Sequence, residues 1–186
     1  MTLDAPPPRR TRLRRHNWLE AGLSALGEAG HSALQAEPLA RRLGTTKGSF
    51  YWHFDDLPAF HTAILETWEE GAARTLDTAM ESEKGDVARL RRFGQVIADR
   101  PGGPDPEPAI RAWALGHPRA AETVARVDAK RLTYLAGLLK GLGIGNPEMA
   151  QILYAASIGM ETMGPAAPTD RAGAMGTLVD LVLALR

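Results

Sequence analysis

Cysteine is missing from all 186 residues. Its absence excludes disulfide frameworks, thiolate metal sites and cysteine nucleophiles together. No apolar run approaches the ~20 residues that a membrane helix needs. The opening MTLDAPPPRRTRLRR is basic and leads into an amphipathic pattern, not into the apolar core of a signal peptide. A soluble, cytoplasmic protein with no membrane partner is the expectation. Chemistry-bearing signatures are lacking too: there is no glycine-rich phosphate loop, His-Glu-x-x-His or nucleophile elbow. The five histidines, His16, His31, His53, His61 and His117, are scattered without metal-ligand spacing. We therefore expect no enzyme, no catalytic residue, no metal and no cofactor.

Net charge is the last absence, since 22 Lys and Arg offset 22 Asp and Glu. Its distribution is uneven. Residues 1–54 carry Arg9, Arg10, Arg12, Arg14, Arg15, Arg41, Arg42 and Lys47 against Asp4, Glu20, Glu28 and Glu37, a balance of +4 that leaves −4 for the rest. Residues 55–83 hold eight acids and only Arg74. A basic end on a body that phosphates would repel suits a nucleic-acid binder.

The hydrophobic pattern is helical throughout, with no convincing strand, so the expected class is all-α. Residues 1–10, with three consecutive prolines, read as a basic arm. Trp18, Leu19, Gly22, Leu23 and Leu26 mark a first helix over 11–29, stopped by Gly30. A short second helix, 36–43, starts around Pro38, and Gly44-Thr45-Thr46 breaks it. Thr46 is a good N-cap for a third helix, 47–54. Further helices are expected at 56–83 (with Gly71 its weak point), 86–99, 109–115, 118–141, 147–163 and 171–185, nine in all. This divides the chain into an arm (1–10), a head (11–55) and a body (56–186).

Two short helices joined by a three-residue turn containing glycine are the mark of a helix-turn-helix. In the third helix, KGSFYWHF, Phe50 and Phe54 lie four apart and turn inward together. Lys47, Gly48, Ser49, Tyr51 and Trp52 are left facing out, with His53 at the margin. Such a face suits the major groove: small near the backbone, polar at the tips. Arg41 and Arg42 on the second helix are candidate phosphate contacts from charge alone.

The run LARRLGTTKGSFYWHFDDLPAF resembles the DNA-binding segment of the TetR family of bacterial transcriptional regulators. Leu39-Ala40, Gly44, Thr46 and Lys47 through Phe54 match that pattern in order and spacing, and the resemblance covers about residues 12–65. It implies that Lys47, Ser49, Tyr51 and His53 contact DNA, the last two on phosphates, and that Thr45 and Thr46 touch the backbone at the turn. The sequence departs from the pattern after His53-Phe54. Asp55-Asp56-Leu57-Pro58 stands where the family commonly has a lysine, and the arginine-rich arm is the expected compensation.

For the body, the resemblance implies a small-molecule pocket among the middle helices and a homodimer through the last two. Trp68, Phe93, Trp113, Tyr134, Tyr154 and Met160 form the candidate ligand-binding pool; Arg111 and His117 read as surface residues. The implied function is a repressor that leaves a palindromic double-stranded operator when an effector binds. The alternatives are a helical adaptor that does not bind DNA, or a ligand-independent or activating regulator of the same family.

Overall fold

The computed structural model describes residues 13–98, 104–163 and 170–184. The arm at 1–10 and its arginines up to Arg12 lie outside the described residues. Those described form nine α-helices and one 3-10 turn, with no strand. They are α1 (Arg15–Ala29), α2 (Ala36–Arg42), α3 (Lys47–Tyr51), α4 (Leu57–Glu81), α5 (Asp86–Ala98), α6 (Glu107–Ala114), α7 (Pro118–Gly141), α8 (Pro147–Thr162) and α9 (Arg171–Leu183).

Helix α1 opens at Arg15, later than expected, and several other ends move by a residue or two; two of the differences have a physical reason. Helix α3 ends at Tyr51 rather than at Phe54, because Asp56 must be extended (φ −155°, ψ 179°) to cap α4. Its carboxylate accepts from Ala59 N at 2.7 Å. The intervening residues close in a turn, with His53 N and Phe54 N both donating to Phe50 O. Helix α6 starts earlier than 109, at Glu107, since Asp105 Oδ1 accepts from Glu107 N and Pro108 costs nothing in a first turn. Gly71 does not interrupt α4. The 3-10 turn His31–Ala33 carries no signal that periodicity would reveal.

Apolar side chains gather in two clusters. The first joins the head to the body: Trp18, Leu26, Leu39, Phe50 and Phe60 share it with Ile110, Trp113 and Val127. The second lies in the body among α4, α5, α7, α8 and α9, around Leu90, Phe93, Leu135, Leu139, Leu153 and Met175. Helix α4 spans both, contributing Ile64 to one and Met80 to the other. Its approach to α1 is close: a Cβ on Gly22 would sit 2.6 Å from Ile64 Cδ1 and 2.8 Å from Phe60 Cζ. Any larger residue there would force the buried Ile64 and Phe60 side chains to move.

Candidate functional site

The helix-turn-helix is built by one backbone device and one aromatic cluster. Gly44 adopts φ +63°, the left-handed region that costs other residues about 1–2 kcal/mol. In that conformation Gly44 N reaches Arg41 O and Thr45 N reaches Ala40 O, tying off the last carbonyls of α2. The chain then turns directly to Thr46, whose hydroxyl accepts from Ser49 N at 3.4 Å to open α3.

Phe50, fully buried, pins α3 from beneath. Its ring lies 5.4 Å from Trp18, 5.1 Å from Phe54 and 5.2 Å from Phe60. Trp18 and Phe60 meet it edge-on, the arrangement favoured by the ring quadrupole. Arg15 lies over Phe54, with its guanidinium carbon 5.1 Å from the ring centre. With Phe50 turned inward, its neighbours turn out: Tyr51 is 47% exposed and Trp52 88%. Thr46, Lys47 and Gly48 are exposed as well, whereas Thr45, Ser49 and His53 are half-buried. His53 leans against Trp18, 6.5 Å away. A Cβ on Gly48 would meet only Thr46 Oγ1, at 3.8 Å. Nothing among the described residues demands glycine there.

The two α2 arginines differ. Arg42 grips Glu28 at 2.6 Å and Ser24 at 2.9 Å, fastening α2 to α1. That bond holds the Glu28 carboxyl down at about 2. Arg41 makes only a long exposed pair with Glu37, at 3.5 Å. Of the two, Arg41 is the freer to reach an outside anion. Lys47 has no ion-pair partner among the described residues, and it lies on the same exposed face as Tyr51 and Trp52.

Beneath the head, sequence-distant side chains meet at its junction with the body. His31 stacks on Trp113 (4.3 Å) and lies edge-on to His61 (4.9 Å), while His117 approaches Trp113 from the start of α7. His61 Nε2 is 3.0 Å from Leu34 O. The Nε2 atom of His31 is buried with no hydrogen-bond partner among the described residues. Burial, reinforced by the nearby His61 and His117, lowers the pKa of His31 below its ordinary 6.5. Among the described residues no group of three or more His, Cys, Asp or Glu side chains is placed to hold a metal ion.

In the body, Arg111 and His117 are not plain surface residues. Arg111 donates to Glu107 (2.7 Å), Asp128 (2.7 Å) and the Tyr154 hydroxyl (3.1 Å). Arg131, 7% exposed, clasps the 1%-exposed Glu107 at 2.8 and 3.0 Å. Tyr154 in turn donates to Asp128 at 2.7 Å. Burial pushes the Tyr154 hydroxyl above its ordinary range, so it stays protonated and able to donate. Two cations, two carboxylates and a phenol thus satisfy one another across α6, α7 and α8, which is what makes their burial tolerable. His117 caps α7, its Nδ1 accepting from Ala120 N at 3.4 Å. Only the spacing Glu107–Arg111, one helical turn, hinted at this network in the sequence.

A cavity of about 190 Å³ opens between α1, α4, α5 and α7. Leu23, Trp68, Leu76, Val96 and Ile97 supply apolar wall, with Thr67, Thr75, Asp105 and Arg131 between them. Of the six pool residues, Trp68 lines it. Trp113 belongs to the head junction, and Tyr154 to the ion network. Phe93 packs on the half-buried Tyr134, rings 6.2 Å apart, and Met160 flanks the second core.

Helices α8 and α9 leave an outer face unfilled: Ile152, Met163 and Leu181 are 52, 55 and 62% exposed. Ala155 and Gly159, also exposed, lie on α8 between the first two.

Residues 19–56 match the family model for bacterial regulatory proteins of the tetR family. The transcriptional regulator AcuR of Cereibacter sphaeroides is 33% identical over 110 residues, which are 52% of this chain and 50% of that protein. The chain thus matches about half the length of this curated relative. The fold is similar to a transcriptional regulator from Saccharomonospora viridis in complex with choline, with a TM-score of 0.77 and 14% identity, covering 91% of this chain and 95% of that one. It is also similar to a TetR-family regulator from Streptomyces coelicolor, with a TM-score of 0.75 and 19% identity, covering 91% and 88%.

Proposed function

We infer, from a chain whose head belongs to the tetR family of bacterial regulatory proteins, that the protein is a DNA-binding transcriptional regulator working as a homodimer. The observation that carries this reading is the outward face of α3. Lys47, Gly48 and Tyr51, with Trp52 just past the helix end, stand exposed on a helix whose other side is anchored by Phe50. Tyr51 and Trp52 are large side chains left in water, which suits a surface that is covered when the protein acts. In this reading Lys47, Gly48, Ser49, Tyr51, Trp52 and His53 meet the major groove and its flanking phosphates. Thr45, Thr46 and Arg41 secure the backbone. Arg42 acts chiefly by holding α2 to α1.

The exposed face of α8 and α9 serves as the dimer surface. Two-fold symmetry then sets the paired reading helices ~34–36 Å apart on a palindromic site. The body takes a small molecule, as the choline-bound neighbour from Saccharomonospora viridis does. Repression is relieved when that molecule binds better to the state that cannot hold DNA; by linkage, DNA weakens the ligand by the same factor.

Selecting bound duplexes from a random DNA pool tests the core of this reading. A palindromic consensus is the expected outcome, and recovery of no sequence above background would refute it. On the selected duplex, Tyr51→Phe weakens binding to consensus and mutated sites alike if Tyr51 holds a phosphate. A change in sequence preference would instead assign it to a base.

A further inference from the structure

Gly71 is the poorest helix former in the interior of α4, yet the helix runs through it unbroken. No crowding among the described residues explains the glycine, because a Cβ built there meets none of their heavy atoms within 4 Å. What it faces instead is the cavity: Gly71 and its neighbour Ala72 both line the wall. The missing side chains are part of what makes the space.

Size and charge then narrow the occupant. Sites for drug-sized ligands run to roughly 300–1,000 Å³, whereas an apolar cavity of about 150 Å³ holds benzene. At about 190 Å³ this one admits a single ring with a small substituent. Its two charged wall residues are already committed. Arg131 is clasped by Glu107 through both terminal nitrogens, and Asp105 Oδ1 accepts from the first backbone N–H of α6. An incoming ion would shed its hydration and meet, among the described residues, only charged groups that are already engaged, a penalty that a neutral molecule escapes.

We propose that this cavity binds an uncharged, compact, largely apolar molecule about the size of one substituted six-membered ring, and that Gly71 sets the upper limit on its size. The proposal rests on the regulator reading, since it names the class of molecule that reading requires. The position fits the task. Leu23 brings α1 of the head to the wall, while Arg131 connects the wall to the ion network of α6, α7 and α8. An occupant therefore touches the head and the body at once.

The test is thermal unfolding of the full chain with phenol and toluene as neutral probes, benzoate as an anion and choline as a cation. The neutral probes should raise Tm with the logarithm of their concentration, by about 5–10 °C at a hundredfold excess over Kd; benzoate and choline should raise it by less than about 1 °C at the same concentrations. Gly71→Leu should melt no lower than the parent and lose the response. Gly71→Ala, which adds one methyl and favours the helix, should weaken both probes severalfold without abolishing them, so the size argument survives even if Gly71→Leu misfolds. A benzoate or choline shift equal to that of phenol overturns the charge argument. A full phenol shift in Gly71→Leu overturns the location. No shift with phenol or toluene overturns the proposal altogether. Affinity for the selected duplex, measured by fluorescence anisotropy on the same samples without probe, judges the regulator reading separately.

Discussion

Phe50 and Trp52 stand two positions apart on one short turn and have opposite fates: one is wholly buried, the other the most exposed aromatic residue described. The difference sets each residue's measurable role. Phe50→Ala removes the ring at the centre of Trp18, Phe54 and Phe60, leaving a cavity that partial collapse does not heal. We expect a loss of about 3–5 kcal/mol in urea unfolding, with DNA binding lost as α3 loosens. Lys47 carries charge without packing. Lys47→Ala should leave stability within about 0.5 kcal/mol. It should also reduce the slope of log K against log salt by about 2, one unit for each reading helix of the proposed dimer, read from anisotropy titrations at several salt concentrations. An unchanged slope would remove Lys47 from the phosphate contacts.

At the scale of elements, what orients α3 is the turn between α2 and α3. Gly44 at φ +63° permits the two backbone bonds that end α2 where α3 must begin. Gly44→Ala should cost about 1–2 kcal/mol, and Gly44→Asn less, because asparagine tolerates this region better. For a chain of this size each kcal/mol lowers Tm by about 2–4 °C, so calorimetry resolves the two variants. The junction of the 3-10 turn with α4, α6 and α7 titrates. His31 has a folded-state pKa below its ordinary 6.5, chiefly through burial, so the unfolded chain binds the extra proton more readily. Its contribution to stability is complete above about 6.5 and is lost as pH falls from there toward the folded value. His31→Phe keeps the stacking on Trp113 and cannot protonate; it should flatten the fall in Tm on the acid side of pH 6.5. An identical fall in the variant would shift the cause to other groups.

For the whole molecule, the question is what covers the outer side of α8 and α9. Ile152 and Leu181 point away from both cores, so replacing them with glutamate should leave the fold intact. In the dimer we propose, two carboxylates from each protomer would be buried without partners. Ile152→Glu/Leu181→Glu should sediment as a monomer with an unchanged circular dichroism spectrum, and its affinity for a palindromic duplex should fall at least tenfold while half-site affinity persists. A dimer that survives both charges would place the interface elsewhere.

What the sequence determined by itself was local. Helical periodicity, the proline at the start of a helix, the glycine that ends one and the Thr46 cap are encoded within a few neighbouring residues. The nine helices of the described residues and the exposed face of α3 were therefore legible along the chain, as was Phe50 turned inward against α1. The tertiary structure decided whatever depends on residues far apart. The meeting of His31, His61 and His117 at Trp113 and the Glu107–Arg131 clasp join side chains 24 or more positions apart or on separate helices. No spacing rule links them. The same holds for the cavity, which is a space left between four helices rather than a property of any one. Aromatic residues chosen as pocket lining from their chemistry went mostly to the cores, where large apolar rings bury most surface. The end of α3 shows both influences at once: its start was legible in Thr46, but its early stop at Tyr51 follows from the geometry that Asp56 needs to begin α4.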